Sequence, residues 1–294
     1  MKNISILILC LFMSKATFAL YDSTEVVDME AYQHIVDSIN DSFNYEYGTV
    51  ELDGGIATLT VPEGYKFLGA EQSNFVLTDL WGNPPSEVLG LLFPKETLPI
   101  GGDLTYAVEI TYSEEGYIED EDAEDIDYEA LLEEMQSDME EVNPVRVEQG
   151  YAPITLVGWA SAPFYDKENK KLHWAKELKF GDAETNTLNY NIRVLGREGF
   201  LTMNAIGEMD ALPLFNQDVD KILGSVEFNE GYKYGEFNPK MDRVAAYGIG
   251  GLVAGKVLAK AGFFAVIAKA WKFIAIGAVG LFGLLRKKFF GAKE

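Results

Sequence analysis

Apolar and polar positions divide the middle of the chain into short strands and a few amphipathic helices. In residues 27–43, the apolar side chains Ile35, Ile39 and Phe43 recur every four residues, which predicts a helix with one buried face. Residues 105–112 alternate instead, with every second side chain apolar, and this pattern predicts a half-buried strand. The same patterns predict helices at residues 70–81, 127–149 and 212–223, and strands at residues 88–93, 154–159, 172–179, 188–195, 200–206 and 225–228.

Turn residues connect several of the predicted strands as hairpins. Asp53, Gly54 and Gly55 separate two short alternating runs, and a Gly-Arg-Glu-Gly sequence separates the strands at 188–195 and 200–206. These hairpins mix with helices without the regular strand and helix alternation of a parallel sheet. The predicted fold class is therefore α+β, with a single domain, a mainly antiparallel sheet and a few packed helices.

The first nineteen residues have the layout of a secretory signal peptide. Lys2 gives a basic start, residues 4–13 are apolar, and the sequence Thr-Phe-Ala ends at Ala19, after which we predict cleavage. An uncleaved anchor helix is the alternative, although about twenty apolar residues are needed to cross a membrane. The single cysteine, Cys10, would leave with the signal, so the mature chain would have no disulfide and no thiolate metal site.

Charge is divided unequally between the body of the chain and its C-terminal end. The formal net charge is −23, and residues 243–294 carry nine Lys or Arg against the single acid Glu294, a local balance of +8. Residues 1–242 therefore carry −31. An acidic body disfavours binding to nucleic acid, while a basic end suits anionic lipid.

Residues 243–294 are apolar apart from scattered basic residues, which predicts a membrane-anchor segment. The longest late uncharged run, residues 273–285, has thirteen residues and is too short to span a hydrocarbon core of about 30 Å by itself. A single span therefore includes Lys269 and Lys272, which reach toward the interface, with Trp271 between them as an interfacial anchor. A pair of helices in the interface or in a hairpin, and a wholly soluble buried tail, are the alternatives.

Basic and small residues give the predicted anchor an orientation and a packing face. A basic end follows the last apolar run at Arg286, Lys287 and Lys288. By the positive-inside rule this end stays cytoplasmic, in agreement with an exported N-terminus. Small residues recur every four positions at Gly251, Gly255 and Ala259. On one helix they would form a ridge for self-association or for a partner helix, and chance spacing in a glycine-rich segment is the alternative.

Two stretches of the chain resemble a known bacterial family. The first reads GWASAPFYD at residues 158–166 and continues as KLHWA at 171–175, and the second comprises residues 232–239 and DRVAAYG at 242–248. These motifs resemble the bacterial membrane-anchored family catalogued as domain of unknown function 2167, from about Gly48 to the tail. The resemblance implies an exported, membrane-anchored protein, and it implies no activity.

A looser likeness concerns architecture alone. Residues 57–66 combine a predicted strand with a Pro-Glu-Gly-Tyr turn, and residues 222–228 lead from a helix end into a strand. This order is similar to the small sandwich domains of photosystem II extrinsic proteins. A fold analogy of this kind implies nothing about function.

An acidic stretch at residues 114–141 is the strongest electrostatic feature, with fifteen Asp or Glu and no Lys or Arg. An EF-hand starting at Asp120 would need a glycine at its sixth position and a glutamate at its twelfth, where Leu131 stands instead. We interpret the stretch as a solvated loop whose carboxylates favour the start of the following helix, with loose cation or partner binding as the alternative. The sequence predicts no metal site and no cofactor.

Candidate catalytic residues are sparse. The two histidines, His34 and His173, have no ligand-like spacing, and no Gly-x-Ser-x-Gly elbow occurs. His173, Asp166 and Ser161 are weak catalytic candidates within the family-like segment, and an ordinary strand position is the alternative for His173. Exposed aromatic side chains offer rigid contact area. The predicted binding surface consists of Trp159, Tyr165 and Trp174.

Together these features predict a signal peptide at residues 1–19, an exported domain at 20–242 and a membrane anchor at 243–294. The domain would lie on the periplasmic side of a bacterial cytoplasmic membrane and act as a binding or interaction module in the envelope. Its expected partners are the lipid bilayer and an envelope protein or a second copy, not nucleic acid. Two alternatives stay open, a hydrolase of envelope material that uses Asp or Glu with His173, and a tail that oligomerises in or perturbs the membrane.

Overall fold

Two antiparallel sheets form the framework of the structure, a computed structural model that describes residues 29–83, 86–101, 105–148 and 150–255. In chain order its strands are β1 (Thr49–Glu51), β2 (Ala57–Thr60), β3 (Tyr65–Gly69), β4 (Val88–Pro94), β5 (Tyr106–Ser113), β6 (Ile154–Asp166), β7 (Lys171–Phe180), β8 (Thr187–Leu195), β9 (Phe200–Glu208) and β10 (Val226–Phe228). The larger sheet has seven strands in the order β3-β4-β5-β9-β8-β7-β6, and the smaller sheet has the order β1-β2-β10.

Helices pack on both faces of the larger sheet. Within the described ranges the α-helices are α1 (Met29–Asp41), α2 (Ala70–Asn74), α3 (Tyr128–Glu148), α4 (Leu212–Leu223) and α5 (Ile249–Ala254). A π-helical segment, Phe75–Leu80, continues directly from α2.

The main hydrophobic core lies on one face of the larger sheet, which we call the first face. Side chains alternate along a strand, so directly paired residues of neighbouring strands share a face. Ile110, Met203 and Ile192 are paired in this way and are fully buried. Phe215 and Ile222 of α4 belong to the same apolar cluster, together with residues of the smaller sheet.

The opposite, second face carries two separate apolar clusters at its ends. At the β3 end, Phe43 and Val76 pack with Leu91 of β4. At the β7 end, Leu252 of α5 and the loop residue Ile118 belong to a cluster with Trp174, Leu172 and Phe200. Between these clusters the second face of β5, β9 and β8 is mostly polar.

Helix α3 covers β6, the strand at one edge of the larger sheet. The Asn143 side chain donates to the Ile154 carbonyl at 2.9 Å and accepts from the Ile154 amide at 2.8 Å. Gln136 donates to the carbonyl of Leu156 at 3.1 Å. These amide side chains therefore satisfy backbone groups of an edge that would otherwise be free to pair with another chain.

The segment after β10 folds back onto the domain. Ala245 donates its amide to the Tyr117 carbonyl at 2.8 Å, and α5 buries Ile249 and Val253. The helix ends at Ala254, because Gly255 has a φ of 70° in the left-handed region. Residues 243–255 of the predicted anchor are thus packed against the domain, and no single helix carries both Gly251 and Gly255.

No helix within the described ranges is both long and apolar enough to span a membrane. The predicted signal peptide lies outside the described residues, and so do the anchor residues Ala259, Lys269, Trp271, Lys272, Arg286, Lys287 and Lys288. Their predicted roles stay predictions.

The α+β fold class and most predicted elements are confirmed. Helix α4 has the predicted bounds, and both predicted hairpins form. The sequence patterns miss β3, where Tyr65 to Leu68 are all buried and no alternation shows. The prediction for Ile35 is wrong, because this side chain is 53% exposed on α1 while the neighbouring Val36 is buried.

Asp120 is a hydrogen-bond hub beneath the segment that covers the β7 end. Its carboxylate accepts from the Tyr165 hydroxyl at 2.6 Å, from Lys170 Nζ at 2.8 Å and from the Tyr234 hydroxyl at 3.2 Å. Burial alone would raise the pKa of Asp120, but these bonds outweigh it and hold the pKa below its ordinary value. The carboxylate therefore ties β6, the turn after it and the C-terminal segment together.

We expect Asp120→Ala to lower the free energy of unfolding by about 2–4 kcal/mol, because it removes the acceptor of Tyr165 and Lys170, while the Tyr234 hydroxyl keeps its bond to the Ile118 carbonyl. Thermal unfolding measures this loss, with Glu119→Ala at the exposed neighbouring position as the control. Asp120→Asn keeps an acceptor oxygen and should lose less. Equal unfolding midpoints for Asp120→Ala and Glu119→Ala would contradict the role of the hub.

Candidate functional site

A band of polar side chains crosses the second face between its two apolar clusters. Strand pairing places Trp174 of β7 opposite Asn191 of β8, and Asn191 opposite Asn204 of β9. The next row places Lys176 opposite Asn189. With Arg193, these residues form what we call the donor strip, which consists of Trp174, Lys176, Asn189, Asn191, Arg193 and Asn204.

Three asparagines of the donor strip orient one another. Asn191 donates through Nδ2 to the side-chain oxygen of Asn189 at 2.9 Å and to its backbone carbonyl at 3.0 Å. Asn189 in turn donates through Nδ2 to Oδ1 of Asn204 at 3.0 Å. The side-chain oxygens of Asn189 and Asn204 therefore each already accept a hydrogen bond.

Arg193 stacks on aromatic rings beside this amide chain. Its guanidinium carbon lies 5.1 Å from the ring centre of Trp174 and 5.7 Å from that of Phe200, distances typical of cation–π contacts. Burial lowers the pKa of Arg193 to about 10, so the group stays charged at neutral pH. Nη1 donates to the carbonyl of Ile192, whereas the buried Nε has no partner within the described ranges.

Two further donors of the strip lack an acceptor in the described part of the chain. Trp174 is 1% exposed, and its Nε1 has no hydrogen-bond partner there. The ammonium group of Lys176 forms neither a hydrogen bond nor an ion pair with any described residue. Burial lowers the pKa of Lys176 to about 8, and repulsion from Arg193 acts in the same direction.

Carboxylates near the donor strip are engaged elsewhere. The charge of Glu115 acts on Arg193, but Glu115 accepts a hydrogen bond from the Tyr247 hydroxyl and forms no ion pair with Arg193. The ion pairs among the described residues involve other cations, namely Lys167, Lys170, Arg197 and Lys221. The strip is therefore positively charged and rich in donors within an acidic domain.

The weak catalytic candidates lie on the first face or in a turn, away from the donor strip. His173 Nδ1 is 2.9 Å from the hydroxyl of the buried Tyr190, and Ser161 contacts the same hydroxyl. Burial lowers the pKa of His173. Asp166 instead accepts from the amides of Glu168 and Asn169 at 3.0 Å, which holds the turn between β6 and β7. The structure thus brings His173 and Ser161 together around Tyr190, while Asp166 acts on His173 through its charge and forms no hydrogen bond with it.

The aromatic residues that the sequence suggests as a binding surface are packed inside the molecule. Trp174 is buried, and Trp159 is half-buried with its Nε1 donating to the Tyr128 carbonyl at 3.1 Å. The Tyr165 hydroxyl is bound to Asp120. Of the three rings only that of Trp174 is fully buried, and the binding role of this surface stays a prediction.

The acidic stretch contributes structural contacts. Asp122 accepts from the amides of Ile249 and Gly250 at 2.9 and 3.1 Å, at the start of α5. Glu124 pairs with Lys167 at 3.3 Å on the surface. Within the described ranges, no three His, Cys, Asp or Glu side chains are grouped so as to hold a metal ion.

Sequence reasoning misses the donor strip, although its signal is present. In β8 the polar residues Asn189, Asn191 and Arg193 alternate with buried Tyr190 and Ile192. This alternation is the usual pattern of a strand with one solvated face. The strip can be recognised only from the tertiary structure, in which α5 and the Ile118 loop cover Trp174 at one end of it.

The geometry defines an α+β domain with a seven-stranded antiparallel sheet and helices on both faces. The chain belongs to the family described as protein of unknown function (DUF2167), which matches residues 44–283. No curated protein matches the chain in sequence.

Two solved structures are similar in fold. One is the cyanobacterial PsbP protein CyanoP from Synechocystis sp. PCC 6803, with a TM-score of 0.36 and 11% identity over 62% of this chain and 91% of that chain. The other is the Saccharomyces cerevisiae Ran-binding protein Mog1p, with a TM-score of 0.32 and 12% identity over 63% of this chain and 96% of that chain. Neither similarity supports a statement about function.

Lys176→Met should raise the stability of the domain at neutral pH by about 1–2 kcal/mol, because it replaces an unpaired, partly buried charge by an apolar side chain of similar size. In a domain of this size, each kcal/mol corresponds to roughly 2–4 °C in the unfolding midpoint. Thermal unfolding at pH 7 measures the gain. Lys179→Met, at an exposed position of the same strand, is the control.

The gain from Lys176→Met has a defined pH dependence. Below pH about 8, Lys176 is protonated in the folded and the unfolded chain, and the folded state carries the full penalty of the charge. As pH rises from about 8 to the ordinary value of 10.5, the folded state loses this proton first, so the penalty falls to zero. The stability difference from wild type should therefore shrink over this range. A destabilised Lys176→Met variant would contradict this account.

Proposed function

We propose that the chain is an exported, membrane-tethered binding module and that the donor strip is its ligand-contacting surface. The observation that carries this proposal is the group of donors at Trp174, Lys176 and Arg193 without acceptors among the described residues. An unsatisfied buried donor, such as Trp174 Nε1 or Arg193 Nε, costs about 1–3 kcal/mol. A ligand that supplies the acceptors offsets this cost only when it is bound.

The position of the donor strip supports recognition close to a membrane. Tyr247, whose hydroxyl donates to Glu115, lies in residues 243–255, the part of the predicted anchor that packs against the domain. The rest of that segment, through α5, packs against the domain, so the strip and the start of the anchor are connected by folded chain. The signal-like N-terminus and the basic, apolar C-terminus of the sequence support export and tethering.

Affinity purification of the tagged full-length protein from native membranes in mild detergent tests this function. We expect a component that copurifies with the wild type, detected by mass spectrometry of proteins and small molecules, to be lost from Lys176→Met/Arg193→Met. Lys179→Met/Lys240→Met removes the same charge from two exposed positions and should retain the component.

Retention of the same components by both double variants would contradict the donor strip as the binding surface. The hydrolase alternative predicts a different result. In that case the purified protein would turn over envelope material, and His173→Gln would abolish the turnover while Lys176→Met/Arg193→Met kept it.

A further inference from the structure

The donor strip has a surplus of one kind of hydrogen-bonding group. Trp174 Nε1 and Arg193 Nε are buried N–H donors without partners in the described ranges, and Lys176 adds an ammonium group without an ion pair there. All three belong to paired or neighbouring positions of β7 and β8 on the second face. A group that completes this site must therefore supply acceptors.

Nearby acceptors of the protein bond to groups other than the three donors. The side-chain oxygens of Asn189 and Asn204 accept from neighbouring amides, and Glu115 accepts from Tyr247. The chain contains 47 Asp or Glu, so carboxylates are not scarce, yet no described carboxylate pairs with Lys176 or Arg193. A group that neutralises the strip must therefore be negatively charged.

We propose that the donor strip binds its ligand through an anionic oxygen group, a phosphate or a carboxylate, held between Lys176 and Arg193. This inference rests on the proposed function and specifies the chemistry of its ligand. Ammonium and guanidinium groups form the strongest hydrogen bonds to such oxyanions. The contact of Arg193 with the Trp174 ring, at 5.1 Å, restricts the guanidinium before binding, so less side-chain entropy is lost.

The same face also carries one exposed apolar residue beside the polar band. Ile206 of β9 is paired with Asn189 and is 42% exposed. It offers an apolar contact next to the asparagine amides. A bare inorganic anion is a probe of the anionic group alone.

Thermal unfolding of the full-length protein in a neutral detergent tests the anion site. Sodium phosphate and sodium acetate are titrated against sodium chloride at matched ionic strength. We expect at least one oxyanion to raise the unfolding midpoint of the wild type in a saturable way, by roughly 5–10 °C at a hundred times its Kd. In Lys176→Met or Arg193→Met the Kd should increase at least tenfold, whereas Lys179→Met should match the wild type.

Nanodiscs distinguish a lipid headgroup from a free anion. In phosphatidylcholine nanodiscs, added phosphate should raise the unfolding midpoint of the full-length protein in either case. In nanodiscs that also contain phosphatidic acid, a headgroup seated in the site would abolish the response to phosphate. A free-ligand site would keep that response, and both results support an oxyanion site.

Two results would overturn the inference. One is the absence of a saturable effect of either oxyanion on the wild type, and the other is an equal effect on Lys176→Met and Lys179→Met. If the native-membrane purification nevertheless gave an uncharged ligand that depends on Lys176 and Arg193, the proposed function would stand while the anionic ligand chemistry would fail.

Discussion

The carboxylate of Asp120 holds the covering layer of the second face in place, and the environment of the donor strip depends on that layer. Asp120 joins Tyr165 of β6, Lys170 of the following turn and Tyr234 of the C-terminal segment. The same C-terminal segment supplies Leu252 and Ile249, which pack in one cluster with Trp174. Asp120 thus supports the layer that buries Trp174, together with the apolar contacts of α5 and the bonds of Asp122 to its first amides.

Burial gives the donor strip its energetic character. On an open strand surface, Lys176 and Arg193 would be solvated and their charges would have little effect on stability. Under the covering layer they lose part of that solvation, which lowers the pKa of both groups. Groups held with perturbed pKa values and without protein partners are typical of functional sites, since folding alone gains nothing from them. Burial of the hydrophobic core on the first face stabilises the fold and offsets this cost.

Local patterns in the sequence predict elements well and predict their surroundings poorly. Helix α4 has its apolar residues at helical spacing and a proline in its first turn, and its bounds are predicted without error. Strand β3 is missed, because both of its faces are covered and even Lys66 is buried, with its ammonium 4.2 Å above the ring of Tyr45. The burial of Trp174 is likewise not predicted by the local sequence pattern.

For Trp174, the sequence gives a strand position with polar neighbours, which suits an exposed contact residue. Its burial results from α5 and the Ile118 loop, which are distant from β7 in the sequence. The donor strip is hidden for the same reason. Lys176 and Arg193 look like ordinary residues of a solvated strand face until the covering segments and the register of β7 and β8 are known.

Anion binding by the unpaired donors of the strip is reported most directly by the Nε–H signal of Arg193. In the full-length protein with labelled arginine, Arg193→Lys assigns that signal by its loss from the NMR spectrum. On separate addition of phosphate and acetate, at least one of them should shift the Arg193 signal in a saturable way while the other arginine signals stay in place. An Arg193 signal unchanged by both anions, or the same unsaturable drift in every arginine, would contradict anion binding at the strip.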